Sequence, residues 1–85
     1  MPTVHRAQGF RFVIFTNDHE PAHVHAVSGE GEAKIELGAA SGAPALIWVR
    51  GRMSNPDVRR AMTEVRRERV RLLAAWQAIH GGNEP

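Results

Sequence analysis

Cysteine is absent from this 85-residue chain, which rules out disulfides and thiolate-ligated zinc alike. Nothing approaches the run of about 20 apolar residues that a membrane-spanning helix needs. The opening Met1-Pro2-Thr3-Val4-His5-Arg6 lacks the apolar stretch of a signal peptide. The expectation is a soluble, unexported, cytoplasmic protein with no membrane contact. Also missing are a Walker loop, a dinucleotide-binding glycine fingerprint and a nucleophile elbow, so nothing points to nucleotide hydrolysis by a P-loop or to a serine hydrolase. No internal repeat or low-complexity tract is present.

What remains is one small domain spanning residues 1–85. With 42% hydrophobic residues it can build a single core layer. A chain this short often gains stability from a partner, and a homodimer is one form that takes. Charge is divided along the sequence. Residues 1–42 carry Arg6, Arg11 and Lys34 against five carboxylates, a net of −2, whereas residues 43–85 carry eight arginines against four carboxylates, a net of +4. The basic half contains no lysine. Arginine's planar fork suits phosphate or carboxylate, so the choice lies between a polyanionic partner and an ordinary solvated face.

The region from about residue 3 to residue 50 reads as strands. Phe10 to Thr16 is rich in aromatic and β-branched residues and is bounded by Gly9 and Asn17-Asp18. Residues 3–6 add a short strand ahead of it, with Gln8-Gly9 as a hairpin turn. His23 to Val27 alternates, placing His23, His25 and Val27 on one face and Val24 and Ala26 on the other. After a turn at Ser28 to Gly31, Glu32, Lys34 and Glu36 point one way and Ala33, Ile35 and Leu37 the other. Gly38 to Pro44 is a small-residue loop, and Ala45 to Val49 is a further strand. Arg50-Gly51-Arg52 reads as a short basic turn.

Residues 55–80 or so are helical. Ser54 or Asn55 caps the start, Pro56 fits the first turn, Asp57 complements the positive helix end, and Gly81-Gly82 stops it. Val58, Met62, Val65, Leu72, Trp76 and Ile79 form one stripe, with Arg59, Arg60, Arg66, Arg67 and Arg71 opposite. Arg69 alone interrupts the stripe, and a kink or a division into two helices near Arg66–Arg69 fits the unusual length. Short loops between strands favour an antiparallel meander. The expected fold class is α+β: an antiparallel sheet of four or five strands with a long C-terminal amphipathic helix packed on one face. Trp48, Trp76 and the three phenylalanines are expected in the core.

Function, if written anywhere, is written in Asp18-His19-Glu20-Pro21-Ala22-His23-Val24-His25. Of the histidines, His5 and His80 are isolated and are assigned no role. Three within seven residues, flanked by two carboxylates, are unusual. His23 and His25 share a strand face, and His19 approaches from the preceding turn. One reading is catalytic without metal. Imidazoles act as general acid and base, while Lys34 with Arg50 or Arg52 stabilises a pentavalent phosphate. The alternative is a zinc or other divalent-metal site on His19, His23 and His25, with Asp18 or Glu20 completing it or supporting it. A third reading makes the chain a nucleic-acid-binding regulator, with Arg50, Arg52, Arg59 and Arg60 contacting phosphate.

Read in order, Met1-Pro2-Thr3-Val4, Gly9-Phe10-Arg11-Phe12, His19-x-Pro21-x-His23-Val24-His25, Gly31-Glu32-Ala33-Lys34 and Leu72-Leu73-x-x-Trp76 form a recognisable pattern. Over nearly the whole chain it resembles the small bacterial domain-of-unknown-function family 4160. Ala22 stands where members usually have a second proline, and Asn17-Asp18 replaces a common Ser/Asn-Glu. The resemblance implies a candidate toxin of a toxin–antitoxin module, with a cognate small antitoxin protein as partner. Joined to the histidine cluster, that gives the leading expectation: a metal-independent ribonuclease needing no cofactor, with His19, His23, His25 and Lys34 catalytic.

Overall fold

Five strands and two helices follow one another in the computed structural model, which describes residues 3–38 and 42–80. They are β1 (Thr3–Ala7), β2 (Phe10–Val13), β3 (His23–Val27), β4 (Gly31–Glu36), β5 (Ala45–Gly51), α1 (Asn55–Arg67) and α2 (Arg69–His80). Each strand pairs antiparallel with the next, so the sheet order is β1-β2-β3-β4-β5, a meander. The α+β class and the antiparallel sheet expected from the alternation are both present. Gln8 and Gly9, at φ 57° and 83°, form the tight turn that joins β1 to β2. The middle of the 38–44 loop, residues 39–41, and the Gly81-Gly82 helix stop lie outside the described residues.

Two boundaries differ from the sequence expectation. β2 was expected to run to Thr16, but it ends at Val13, the last residue with a partner on β3. Beyond it the chain turns, and the Asp18 N–H donates to the Phe15 carbonyl at 3.2 Å. At the other end, Arg50-Gly51 is strand rather than turn: Arg50 pairs with Glu32 and Gly51 with Gly31. Gly51 permits this continuation. Its φ is +82°, and a Cβ there would lie 2.7 Å from the Glu30 carbonyl oxygen.

The core lies on one face of the sheet. Phe10, Phe12, Val24, Ala26, Ala33 and Ile35 point toward the helices, and Ala61, Val65, Leu72 and Trp76 close over them. Full burial of the valine, leucine, isoleucine and phenylalanine side chains among them contributes about 1.5–3 kcal/mol each. Ser54 caps α1 in a capping box: its hydroxyl accepts from the Asp57 N–H, and the Asp57 carboxylate accepts from the Ser54 N–H.

The long C-terminal helix is in fact two, broken at Glu68 with no proline or glycine nearby. Arg69, the residue that interrupted the apolar stripe, accounts for its own position. Its Nε–H donates to the Leu37 carbonyl at 2.8 Å and ties the start of α2 to the end of β4. Among the described residues no helix is long and apolar enough to cross a membrane.

His5, isolated in the sequence, is engaged in the structure. It packs beside Phe12 on the helix side, with its Nε2 2.6 Å from Oε2 of Glu64, a carboxylate only 3% exposed. Arg67 approaches the other Glu64 oxygen at 3.4 Å, and Arg71 lies 3.4 Å from His5 Nδ1.

Trp48 departs from expectation as well. It is half-buried on the sheet face away from the helices, opposite Lys34. Phe15, likewise only partly buried, lies against His25 rather than in the core.

Candidate metal centre

Strand alternation puts His23 and His25 on the face opposite Val24 and Ala26, and cross-strand pairing sets Val13 and Lys34 beside His25. Neither histidine is a surface decoration: they are 4% and 7% exposed. The turn after β2 swings Asp18 back over this face. One oxygen, Oδ2, comes within 3.0 Å of His23 Nε2 and 3.5 Å of His25 Nε2. Ligand atoms of Asp18, His23 and His25 all lie within 4.8 Å of one another.

Each imidazole is held from behind. His23 Nδ1 is 2.9 Å from the Pro21 carbonyl, and His25 Nδ1 is 2.8 Å from Oε2 of Glu32. A carbonyl and a carboxylate only accept, so in both rings the proton sits on Nδ1. In the neutral imidazoles Nε2 then carries a lone pair. Two nitrogen lone pairs and a carboxylate oxygen therefore face one point, and none of the three buried atoms makes a hydrogen bond. With both rings neutral the three are acceptors that repel one another, and either a proton on one Nε2, pairing it with Asp18 across the 3.0 Å contact, or a metal cation among them relieves that repulsion.

The donor set fits a divalent metal. Two imidazoles and one carboxylate suit zinc, and with positions left open they suit iron(II) or manganese. An Nδ1–H donated to a carboxylate or carbonyl is the usual way a ligating histidine is oriented. The surroundings are aromatic: the Phe15 ring meets His25 edge-on at 4.7 Å, Trp48 lies 5.7 Å from His25, and Trp76 lies 5.1 Å from His23. Trp76 also donates its indole N–H to Glu20 at 3.2 Å, fastening the 18–22 loop to α2. Within that loop the Glu20–Pro21 peptide is cis.

A second group, His5 with Glu64 and Glu68, also has ligand atoms close together. There the acceptors are already engaged. His5 bonds Glu64, and Arg67 and Arg71 bring positive charge to Glu64 and Glu68, which disfavours a further cation.

A cleft of about 350 Å³ opens beside the centre, lined by His23, Asp18, His19, Glu20, Lys34 and Glu36 among others. His19 is exposed on its wall and does not join the converging atoms; Asp18 takes the third position instead. Lys34 lines the same cleft. Arg50 lies on this side of the sheet, its guanidinium 4.2 Å from the centre of the Trp48 ring. Arg52 follows β5 and is exposed. Arg59 and Arg60 belong to α1, in the layer that covers the other face, and Arg60 is paired with Asp57. The structure thus gathers His19, His23 and Lys34 at one cleft and sets Arg50 on the opposite side of the sheet from Arg59 and Arg60.

Sequence reasoning gave Asp18 and Glu20 equal standing and passed over Glu32. Glu32 stands on the neighbouring strand two pairings beyond His25, a diagonal relation that becomes visible only once the register is known.

Comparison with family models matches residues 9–77 to a domain of unknown function, DUF4160. The chain belongs to that family. The matched DUF4160 segment contains Asp18, His23, His25, Glu32 and Lys34, while His5 lies outside it. Comparison with curated proteins and with solved structures gave no match.

Proposed function

We propose that this DUF4160 domain binds a divalent metal ion through Asp18, His23 and His25, and that the centre serves hydrolysis of a phosphodiester entering the adjacent cleft. The observation that carries the reading is the convergence of three buried acceptor atoms with no hydrogen bond among them. A metal so held supplies a Lewis acid and a water activated near neutral pH. The chain supplies the rest. Lys34 binds an anionic oxygen in the cleft, His19 on the wall carries a proton to the leaving group, and the aromatic rings keep bulk water from the buried ligands.

Calorimetric titration of untagged protein with zinc and manganese tests the binding. One site per chain is expected in the wild type, with loss of that site in Asp18→Asn and in His25→Ala. Equal binding by all three proteins would refute it.

A second reading keeps the histidines catalytic without metal, in a ribonuclease toxin held in check by a cognate small antitoxin protein. Its support is that His19, His23 and Lys34 share one cleft. The two readings separate on RNA cleavage in the presence of a strong chelator. Cleavage that stops favours the metal, and cleavage that continues favours acid–base chemistry by the histidines. Growth inhibition on expressing the chain alone, relieved in His23→Ala, would add the toxin role to either.

A further inference from the structure

The metal reading leaves the substrate open, and the sheet face around the centre narrows it. Cross-strand register places Arg6, Arg11, Val27, Glu32 and Arg50 in one row across the face away from the helices, with Val13, His25, Lys34 and Trp48 in the next row. Glu32 is engaged with His25. Arg6, Arg11, Lys34 and Arg50 make no ion pair among the described residues, and all four are exposed or half-exposed. On the helices, by contrast, Arg60, Arg67 and Arg71 are each paired with a carboxylate on the same helical segment or its boundary. Arg59 and Arg66 on α1 also lack an ion pair among the described residues, so what marks the side of the metal centre is that Arg6, Arg11, Lys34 and Arg50 share one sheet face.

An aromatic ring lies among them. Trp48 is half-buried beside His25, and the Arg50 guanidinium sits over its ring at 4.2 Å. Indole and guanidinium together offer a flat, positively charged surface. Nucleobases stack on such surfaces without regard to their identity. Arg11 on β2 and Arg50 on β5 are three strand spacings apart, about 14 Å, a span longer than one nucleotide. A stacking surface with basic groups along the sheet beside it is the usual footprint of single-stranded nucleic-acid binding.

We propose that the open sheet face binds a single-stranded polynucleotide, with bases stacking at Trp48–Arg50 and phosphates held by Arg11, Lys34 and Arg50, so that the strand runs past the Asp18–His23–His25 centre. This extends the proposed function by naming the substrate class, and it rests on that reading for the reaction but not for the binding.

Fluorescence anisotropy with a short labelled oligonucleotide, single-stranded and duplex, tests it on the full chain. Asp18→Asn serves as background, which prevents metal-assisted hydrolysis during the measurement. Single-stranded binding is expected to exceed duplex binding. Trp48→Ala should weaken it roughly tenfold, and Arg11→Ser with Arg50→Ser should flatten the salt dependence by about 1.4 in log–log slope. The pair Arg59→Ser and Arg66→Ser on α1 should leave binding unchanged. The surface arginine variants do not disturb the core, so they remain informative if Trp48→Ala unfolds. Loss of binding in the α1 pair with none in Arg11→Ser/Arg50→Ser, preference for duplex, or no binding of either oligonucleotide would overturn the proposal. Oligonucleotide binding together with no uptake of zinc or manganese by the wild-type protein in the calorimetric titration would overturn the metal reading and leave this one standing.

Discussion

At His25 the carboxylate of Glu32, 2.8 Å from Nδ1, determines which nitrogen faces Asp18. Removing that carboxylate leaves the ligand in place but frees its ring to turn and to change tautomer. Glu32→Ala is therefore expected to weaken metal binding roughly 10- to 100-fold while leaving the unfolding midpoint of the metal-free protein nearly unchanged, as read by calorimetry beside urea denaturation. On the other side of the sheet the outcome reverses. His5→Ala strands the buried Glu64 carboxylate with only Arg67 at 3.4 Å, and is expected to cost about 3 kcal/mol of stability. His5→Ala combined with Glu64→Leu should recover much of that loss, because the buried charge goes with its partner. Neither change should move metal affinity. A histidine's neighbours, rather than its residue type, thus separate a ligand from a structural pair.

Helix α1 begins with a capping box whose acid sits in a known direction. The Ser54 backbone N–H, with help from Arg60, holds the Asp57 carboxyl below its ordinary value of 3.8. A depressed carboxyl stabilises the fold above its unfolded pKa and loses that contribution as pH falls through the folded value. The urea midpoints of wild type and Asp57→Asn should therefore differ near neutral pH and converge as pH is lowered from about 5 toward 2. Ser54→Ala should cost about 1 kcal/mol by the same measurement at neutral pH. Much at this scale was legible beforehand: alternation located β3 and β4, and a cap at Ser54 or Asn55 followed by Pro56 and Asp57 located the start of α1. The break at Glu68 was anticipated by the helix length and by Arg69, but its cause was not. The Leu37 carbonyl that Arg69 binds lies 32 residues away in sequence, beyond the reach of local pattern.

The whole molecule has two unlike sides. One holds the core and the helices, with Arg60, Arg67 and Arg71 paired to nearby carboxylates; the other holds the Asp18–His23–His25 cluster, the half-buried Trp48 and four cations without an ion pair among the described residues. The sequence showed the histidine pair on one face because period-two alternation requires it. It did not show Trp48 joining them, because that depends on the irregular register between β4 and β5, where Lys34 faces Trp48 and the next residue, Ile35, faces Leu46. One extra residue in a strand moves every later side chain to the opposite face. The sequence named His19 with the histidine pair where the structure brings Asp18, since the turn after β2 sets that choice. The most direct measurement is an anomalous difference map from crystals grown with zinc. The result expected is one strong peak about 2.0–2.2 Å from Asp18, His23 Nε2 and His25 Nε2 together. A map with no peak there, or with its peak at His5, Glu64 and Glu68, would contradict the metal centre.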